Sequence, residues 1–140
     1  MAIRQLSVLC KNEKGSLVKV LRVLSENSMN LKALSIADTE QYGILRILTS
    51  EPDRAKEILT GEGYTASLRE VVAVSVPDEP GSLARVLTLF AENDINLEYM
   101  YSVIHGGLGR AGMVFRVDDN EKTEKLLSAA GYRVLSETDV

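Results

Sequence analysis

The chain has 140 residues, 45% of them hydrophobic and 26% charged, which is the balance of an ordinary globular protein with room for one domain or two small ones. A formal net charge of −4 argues against a non-specific nucleic-acid surface and against an anionic membrane surface. Cys10 is the single cysteine, so an intrachain disulfide and a cysteine-based metal site are both excluded.

The chain start, Met1-Ala2-Ile3-Arg4-Gln5, leads directly into a strand pattern. It shows no long apolar leader, and no apolar run approaches the length of a membrane span. A cytoplasmic location is the resulting expectation. Gln5–Cys10 is rich in β-branched and aliphatic residues and reads as a strand, with Cys10 a small core residue at its end. Asn12-Glu13-Lys14-Gly15-Ser16-Leu17 is a turn. From there Leu17, Val20, Leu21 and Leu24 recur at i, i+3, i+4 and i+7, which predicts an amphipathic helix ending near Asn27. Leu31–Ala37 and Ile44–Thr49 read as strands around a polar turn. Asp53–Thr60 reads as a helix with Ala55, Ile58 and Leu59 inward, and Gly63-Tyr64 opens a last short strand.

The same programme then repeats. A shift of 66 aligns residues 11–31 with 77–97, and ten of the 21 pairs are identical. Chance would give roughly one or two. Val71–Val76 reads as a strand and Asp78-Glu79-Pro80-Gly81-Ser82-Leu83 as its turn. Leu83, Val86, Leu87 and Phe90 form a helical stripe ending near Asn93. Leu97–Ile104 and Met113–Val117 are strands, and Glu121–Ala130 is a helix with Leu126, Leu127 and Ala130 inward. Gly43 is matched with Gly112 and Tyr64 with Tyr132, and a longer loop around Gly106-Gly107-Leu108-Gly109 absorbs the drift in offset. Two units are expected, 1–70 and 71–140, with Arg69-Glu70-Val71 joining a last strand to a first one. The order β-α-β-β-α-β is a ferredoxin-like split βαβ, an α+β class with both helices on one face of a four-stranded antiparallel sheet.

The two turns are the chemically informative stretches. A strand, a glycine turn and a helix start leave backbone N–H groups without helical acceptors, and the helix dipole adds partial positive charge there. Such a spot suits a carboxylate or phosphate. Asn12 or Asp78, just before the glycine, can accept hydrogen bonds from an ammonium. One loop could thus hold both ends of an amino-acid zwitterion. The competing reading is a strand-to-helix turn with no ligand.

Other signals carry less. Gly107-x-Gly109-x-x-Gly112 matches a dinucleotide fingerprint in letters, but a strand follows it where the motif needs a helix, so it reads as a hairpin loop. His105 has no partner set and reads as a loop residue. Tyr99 and Tyr101 share one strand face and read as sheet packing. Glu13 and Glu79 are expected in solvent. Aromatic residues are 5% with no Trp, so the stacking platform of an RNA-binding sheet is absent. No catalytic residue, metal ligand or cofactor is expected.

The pattern (N/D)-x-x-G-x-L after a first strand, then a helix, then Asn-(I/L) entering a second strand, resembles the ACT domain family. Asp78-x-Pro80-Gly81-x-Leu83 followed by Asn96-Leu97 is a close fit, and Asn12-x-Lys14-Gly15-x-Leu17 followed by Asn30-Leu31 departs only in Lys14, where the family usually has Pro. The resemblance covers the chain twice and looks like the small stand-alone tandem ACT proteins. It implies a non-catalytic regulatory protein that binds a free amino acid where ACT units pair, with an amino-acid metabolic enzyme as a further partner; because a 70-residue unit buries little apolar surface and its edge strands need cover, a homodimer is also expected. It implies ligand contacts from Asn12, Gly15, Ser16 and Leu17, from Asp78, Pro80, Gly81, Ser82 and Leu83, and from Asn30 and Asn96. Neither nucleic acid nor a membrane is expected as a partner. The alternatives are a ligand-independent interaction adaptor and a small acylphosphatase-like hydrolase; the latter would need an arginine by the loop, and neither Lys11–Ser16 nor Pro77–Ser82 contains one. Between the two loops, Pro80 stiffens the second and Asp78 is charged, so the second is expected to bind more tightly.

Overall fold

A computed structural model describes residues 3–38, 40–105 and 107–140. The readings of Met1-Ala2 as a lead into the first strand and of Gly106 as a loop residue lie outside the described residues. The elements are β1 (Ile3–Lys11), α1 (Ser16–Glu26), β2 (Leu31–Asp38), β3 (Tyr42–Thr49), α2 (Pro52–Gly61), β4 (Ala66–Pro77), α3 (Ser82–Glu92), β5 (Leu97–Val103), β6 (Arg110–Val117), α4 (Asn120–Ala129) and β7 (Arg133–Leu135). The chain divides into two compact units, Arg4–Arg69 and, with Ile3, Glu70–Val140. Among the described residues no helix is long and apolar enough to cross a membrane.

In the first unit β3 lies between β1 and β2, antiparallel to both. On the other side of β1 the Leu9 amide donates to the Thr65 carbonyl, just ahead of β4, at 3.0 Å. Leu6, Val8 and Cys10 of β1 and Leu45 and Ile47 of β3 turn one face toward Val20 and Leu24 of α1 and Ala55 and Leu59 of α2, and these residues form its core. Both helices therefore cover one face of the sheet, as the two periodicities required. The second unit repeats this with order β5-β6-β4-β7. Its core joins Val72, Val74, Val76, Phe115 and Val117 to Val86 and Phe90 of α3 and Leu127 of α4. The Phe90 and Phe115 rings meet edge to face at 5.1 Å.

Local chemistry repeats with the fold. Asn27 and Asn93 close α1 and α3, each folding its side-chain amide back onto a carbonyl of the last turn, Val23 O at 2.8 Å and Leu89 O at 2.9 Å. The following residues, Ser28 and Asp94, take the left-handed conformation that ends a helix. β2 and β5 carry a register shift at the same place, between Leu31 and Ala33 and between Leu97 and Tyr99. α4 is capped by Asp119, whose carboxylate accepts from the Lys122 amide at 3.0 Å.

Three sequence readings need correction. Ala130 is the exposed C-cap of α4, and its inward place is taken by Thr123, fully buried. Gly43 and Gly112 are not equivalent: Gly43 pairs with Cys10 on the helix-covered face, whereas Gly112 pairs with Ser75 on the other. A glycine alignment chose the wrong neighbour because Gly112 answers a local need. A Cβ there would sit 2.7 Å from Val103 Cγ1 and 2.9 Å from the Val103 carbonyl oxygen. We expect Gly112→Ala to lower stability by about 1–3 kcal/mol through overpacking. Gly43→Ala meets side-chain atoms of Ile36 at 3.2 Å and should lose less; urea unfolding of the pair measures the difference. Third, β4 is one strand where two were expected, and the unit boundary falls inside it, between Arg69 and Glu70.

The second unit ends in a tied turn. The Asp139 carboxylate accepts from the Ser136 amide at 2.8 Å, from its hydroxyl at 3.0 Å and from the Arg133 guanidinium at 2.8 Å. The Ser136 amide above all holds this carboxyl below its usual value. A carboxylate depressed on folding stabilises above its unfolded pKa, about 3.9, and that contribution is lost as pH falls through the lower folded value. Protection of the Ser136 amide from hydrogen exchange should therefore hold at pH 6 and fade below about pH 4.

Candidate functional site

The two turns have the same backbone. Gly15 and Gly81 stand ahead of α1 and α3 with φ of +79° and +87°, a left-handed conformation that L side chains rarely adopt. The Asn12 amide donates to Gln41 O at 2.9 Å and the Asp78 amide to Gly109 O at 2.8 Å, so each loop is pinned by the hairpin beside it. The Ser16 and Ser82 amides turn back to Glu13 O and Glu79 O at 3.2 and 3.3 Å, and the Lys19 and Arg85 amides donate to the glycine carbonyls. One amide of each glycine turn is thus already engaged. The Leu17 and Leu83 side chains are partly buried against the cores of their units. Asn12, Asp78 and Pro80 are exposed.

Asn30 and Asn96 do not stand beside the loop of their own unit, contrary to the sequence reading. Leu31, next to Asn30, pairs with Thr49, whereas the loop end Lys11 pairs with Tyr42, seven positions along the same strand. At about 3.3 Å per residue the two ends of the sheet are roughly 23 Å apart. Helix α1 runs the chain from one end of the sheet to the other, which proximity in the motif conceals. Asn96 has a structural task at that far end: its amide donates to the Asp118 carboxylate at 3.1 Å and its carbonyl accepts the Asp118 amide at 3.2 Å.

Around the first loop the surface opens into two hollows. One, about 270 Å³, is lined by Cys10, Lys11, Asn12, Glu13, Leu17, Ile36 and Gly43. The other, about 370 Å³, lies on the side of the α2–β4 turn and includes Ser16, Lys19, Tyr42 and Tyr64. Cys10 lines both; burial pushes its thiol pKa up, which leaves it a weak nucleophile.

The second loop is held differently. Arg85, from the first turn of α3, donates to Glu79 Oε1 at 3.1 Å and to Ser82 Oγ at 3.2 Å. Glu79 is exposed, as expected, and within that exposure pairs with Arg85. A Cβ at Gly81 would lie 3.3 Å from Arg85 Nη1. An arginine therefore does reach this loop. It was missed because it sits one helical turn beyond Gly81, outside the stretch searched, and the spacing Gly81-x-x-x-Arg85 was the available signal. The counterpart in the first copy is Lys19. The clamp weighs against the expected order of the two loops, since Arg85 occupies the side chains beside the second glycine.

Among curated proteins none matches the chain. Among solved structures, protein BT0572 from Bacteroides thetaiotaomicron is 34% identical, with a TM-score of 0.92 over 99% of this chain and 95% of that one. The ligand-free regulatory subunit of aspartate kinase from Thermus thermophilus has a TM-score of 0.67 at 17% identity, over 91% of each chain. That from Thermus flavus has a TM-score of 0.62 at 16% identity, over 91% of this chain and 92% of that one. At those identities the aspartate kinase subunits show a shared fold. The family model described as an ACT domain pair matches residues 1–140, and with two βαββαβ units carrying the same glycine turn, the chain belongs to that family.

Proposed function

We propose that this ACT domain pair, with ACT domains at 1–70 and 71–140, is a non-catalytic sensor of a free amino acid. It acts in the cytoplasm on an amino-acid metabolic enzyme and works as a homodimer. The single observation that carries the reading is the first loop: a left-handed glycine opening α1, Asn12 ahead of it, and a hollow of about 270 Å³ beside them. In this reading the Gly15–Leu17 backbone takes the carboxylate and Asn12 the ammonium. Gly81, Ser82, Leu83, Asp78 and Pro80 form the corresponding set in the second unit, restrained by Arg85. The homodimer is supported by the outer strand β2, where Leu34 and Ile36 are 43% and 49% exposed on a sheet edge that is unpaired among the described residues.

A thermal-shift screen of the twenty amino acids tests the proposal. A ligand that binds only the folded state adds about 2.7 kcal/mol at a hundredfold excess over its dissociation constant, a shift of several degrees for a chain of this size. No shift at millimolar concentration, together with capture of a partner enzyme in the absence of any amino acid, would replace the sensor by a ligand-independent adaptor.

A further inference from the structure

The hollow of about 370 Å³ on the α2 side of the first loop falls within the range of small-molecule sites. Its charge pattern is specific. Lys11 and Lys19 supply two cations, Glu13 one anion, and Ser16, Tyr42 and Tyr64 supply hydroxyl groups. Among the described residues neither lysine forms an ion pair. This contrasts with the second copy, where the counterpart of Lys19 is Arg85, committed to Glu79, and the counterpart of Lys11 is Pro77. The counterparts of the paired Glu79 and Arg85 are Glu13 and Lys19, which form no ion pair with each other among the described residues.

The geometry points to an acidic α-amino acid as the ligand of the first unit. This rests on the reading of the first loop as an amino-acid site, but places the ligand on the α2 side of that loop, where Glu13 replaces Asn12 as the ammonium acceptor. An acidic amino acid carries two carboxylates and one ammonium, the inverse of two lysines and one glutamate. Lys19 and Lys11 would take the carboxylates, each by charge-assisted hydrogen bonds, and Glu13 the ammonium. A neutral amino acid leaves one lysine without a counter-charge. In the second copy Pro77 stands in place of Lys11, so one cation flanks that loop where two flank the first, and one acidic amino acid per chain is expected.

Calorimetric titration of the full chain with L-aspartate, L-glutamate, L-asparagine, L-glutamine, succinate and glutarate tests this. The acids should bind about tenfold more tightly than their amides, with one site per chain. Lys19→Gln and Lys11→Gln should bring acid and amide to equal affinity, and Glu13→Gln should weaken the amino acids and not the plain dicarboxylates. Both lysines are exposed, so circular dichroism should show the variants folded. Amides binding as well as acids, or lysine variants that keep the preference, would overturn the inference and leave amino-acid sensing standing. Succinate or glutarate binding as tightly as the amino acids would also overturn it, since Glu13 would then have no part. Binding of none of the six, with no amino acid active in the thermal screen, would remove the sensor reading as well.

Discussion

Phe115→Ala is expected to lower the unfolding free energy by about 3–5 kcal/mol, the range for truncating a buried aromatic. Phe115 is fully buried on β6, and its ring meets Phe90 of α3 edge to face at 81°. The substitution removes the ring volume and the aromatic contact together, the latter contributing about 0.5–1.5 kcal/mol beyond area. It also removes one of the sheet side chains on which α3 is seated, and α3 carries the second loop. Domains of this size have roughly 5–15 kcal/mol in total, so the variant should sit near the unfolding threshold at 37 °C. The counterpart residue by strand register is Ile47, and Ile47→Val should lose only about 0.5–1.5 kcal/mol. Urea unfolding followed by circular dichroism measures both. A loss below 1 kcal/mol for Phe115→Ala would mean that the second core closes around the hole, and the account of α3 seating would then be wrong.

Gly81→Val is expected to be the most damaging change at either loop. Holding a β-branched residue at φ +87° costs on the order of 1–3 kcal/mol. The added Cβ also meets Arg85 Nη1 at 3.3 Å, so the guanidinium that bonds Glu79 and Ser82 must give slightly. At Gly15 the φ is +79° but nothing lies within 4 Å of the new Cβ. Gly15→Val should therefore show the backbone strain alone and be the milder variant in thermal unfolding. The order should invert for ligand. The first loop borders both hollows, so Gly15→Val should abolish an amino-acid-dependent thermal shift that Gly81→Val leaves in place. If instead Gly81→Val alone removes the shift, the ligand uses the second loop in spite of the Arg85 clamp.

Much of this protein is legible in its sequence because its signals are local and doubled. The stripes Leu17–Leu24 and Leu83–Phe90 place α1 and α3, since a helix needs only its own periodicity and an apolar face to bury. Gly15 and Gly81 are legible because a left-handed turn has few residues that tolerate it. Ten identities in 21 aligned positions make the two-unit architecture and its family readable without coordinates. The misreadings that bear on the site concern distance across the fold. Asn30 follows the motif in sequence, yet α1 takes the chain to the far end of the sheet. Gly43 and Gly112 match by letter, yet strand register puts them on opposite faces, because two extra loop residues shift the pairing by two and not three. Arg85 looks like an ordinary surface residue until the turn of α3 brings it back over Glu79. The functional contrast between the copies was decided at that level. Lys19 and Arg85 are both cations on a first helical turn, and only packing shows that Arg85 is spent on Glu79 while Lys19 lines an open hollow with Lys11 and Glu13. Composition fixes the number of charges, but the fold decides which of them face each other and which are left for a ligand.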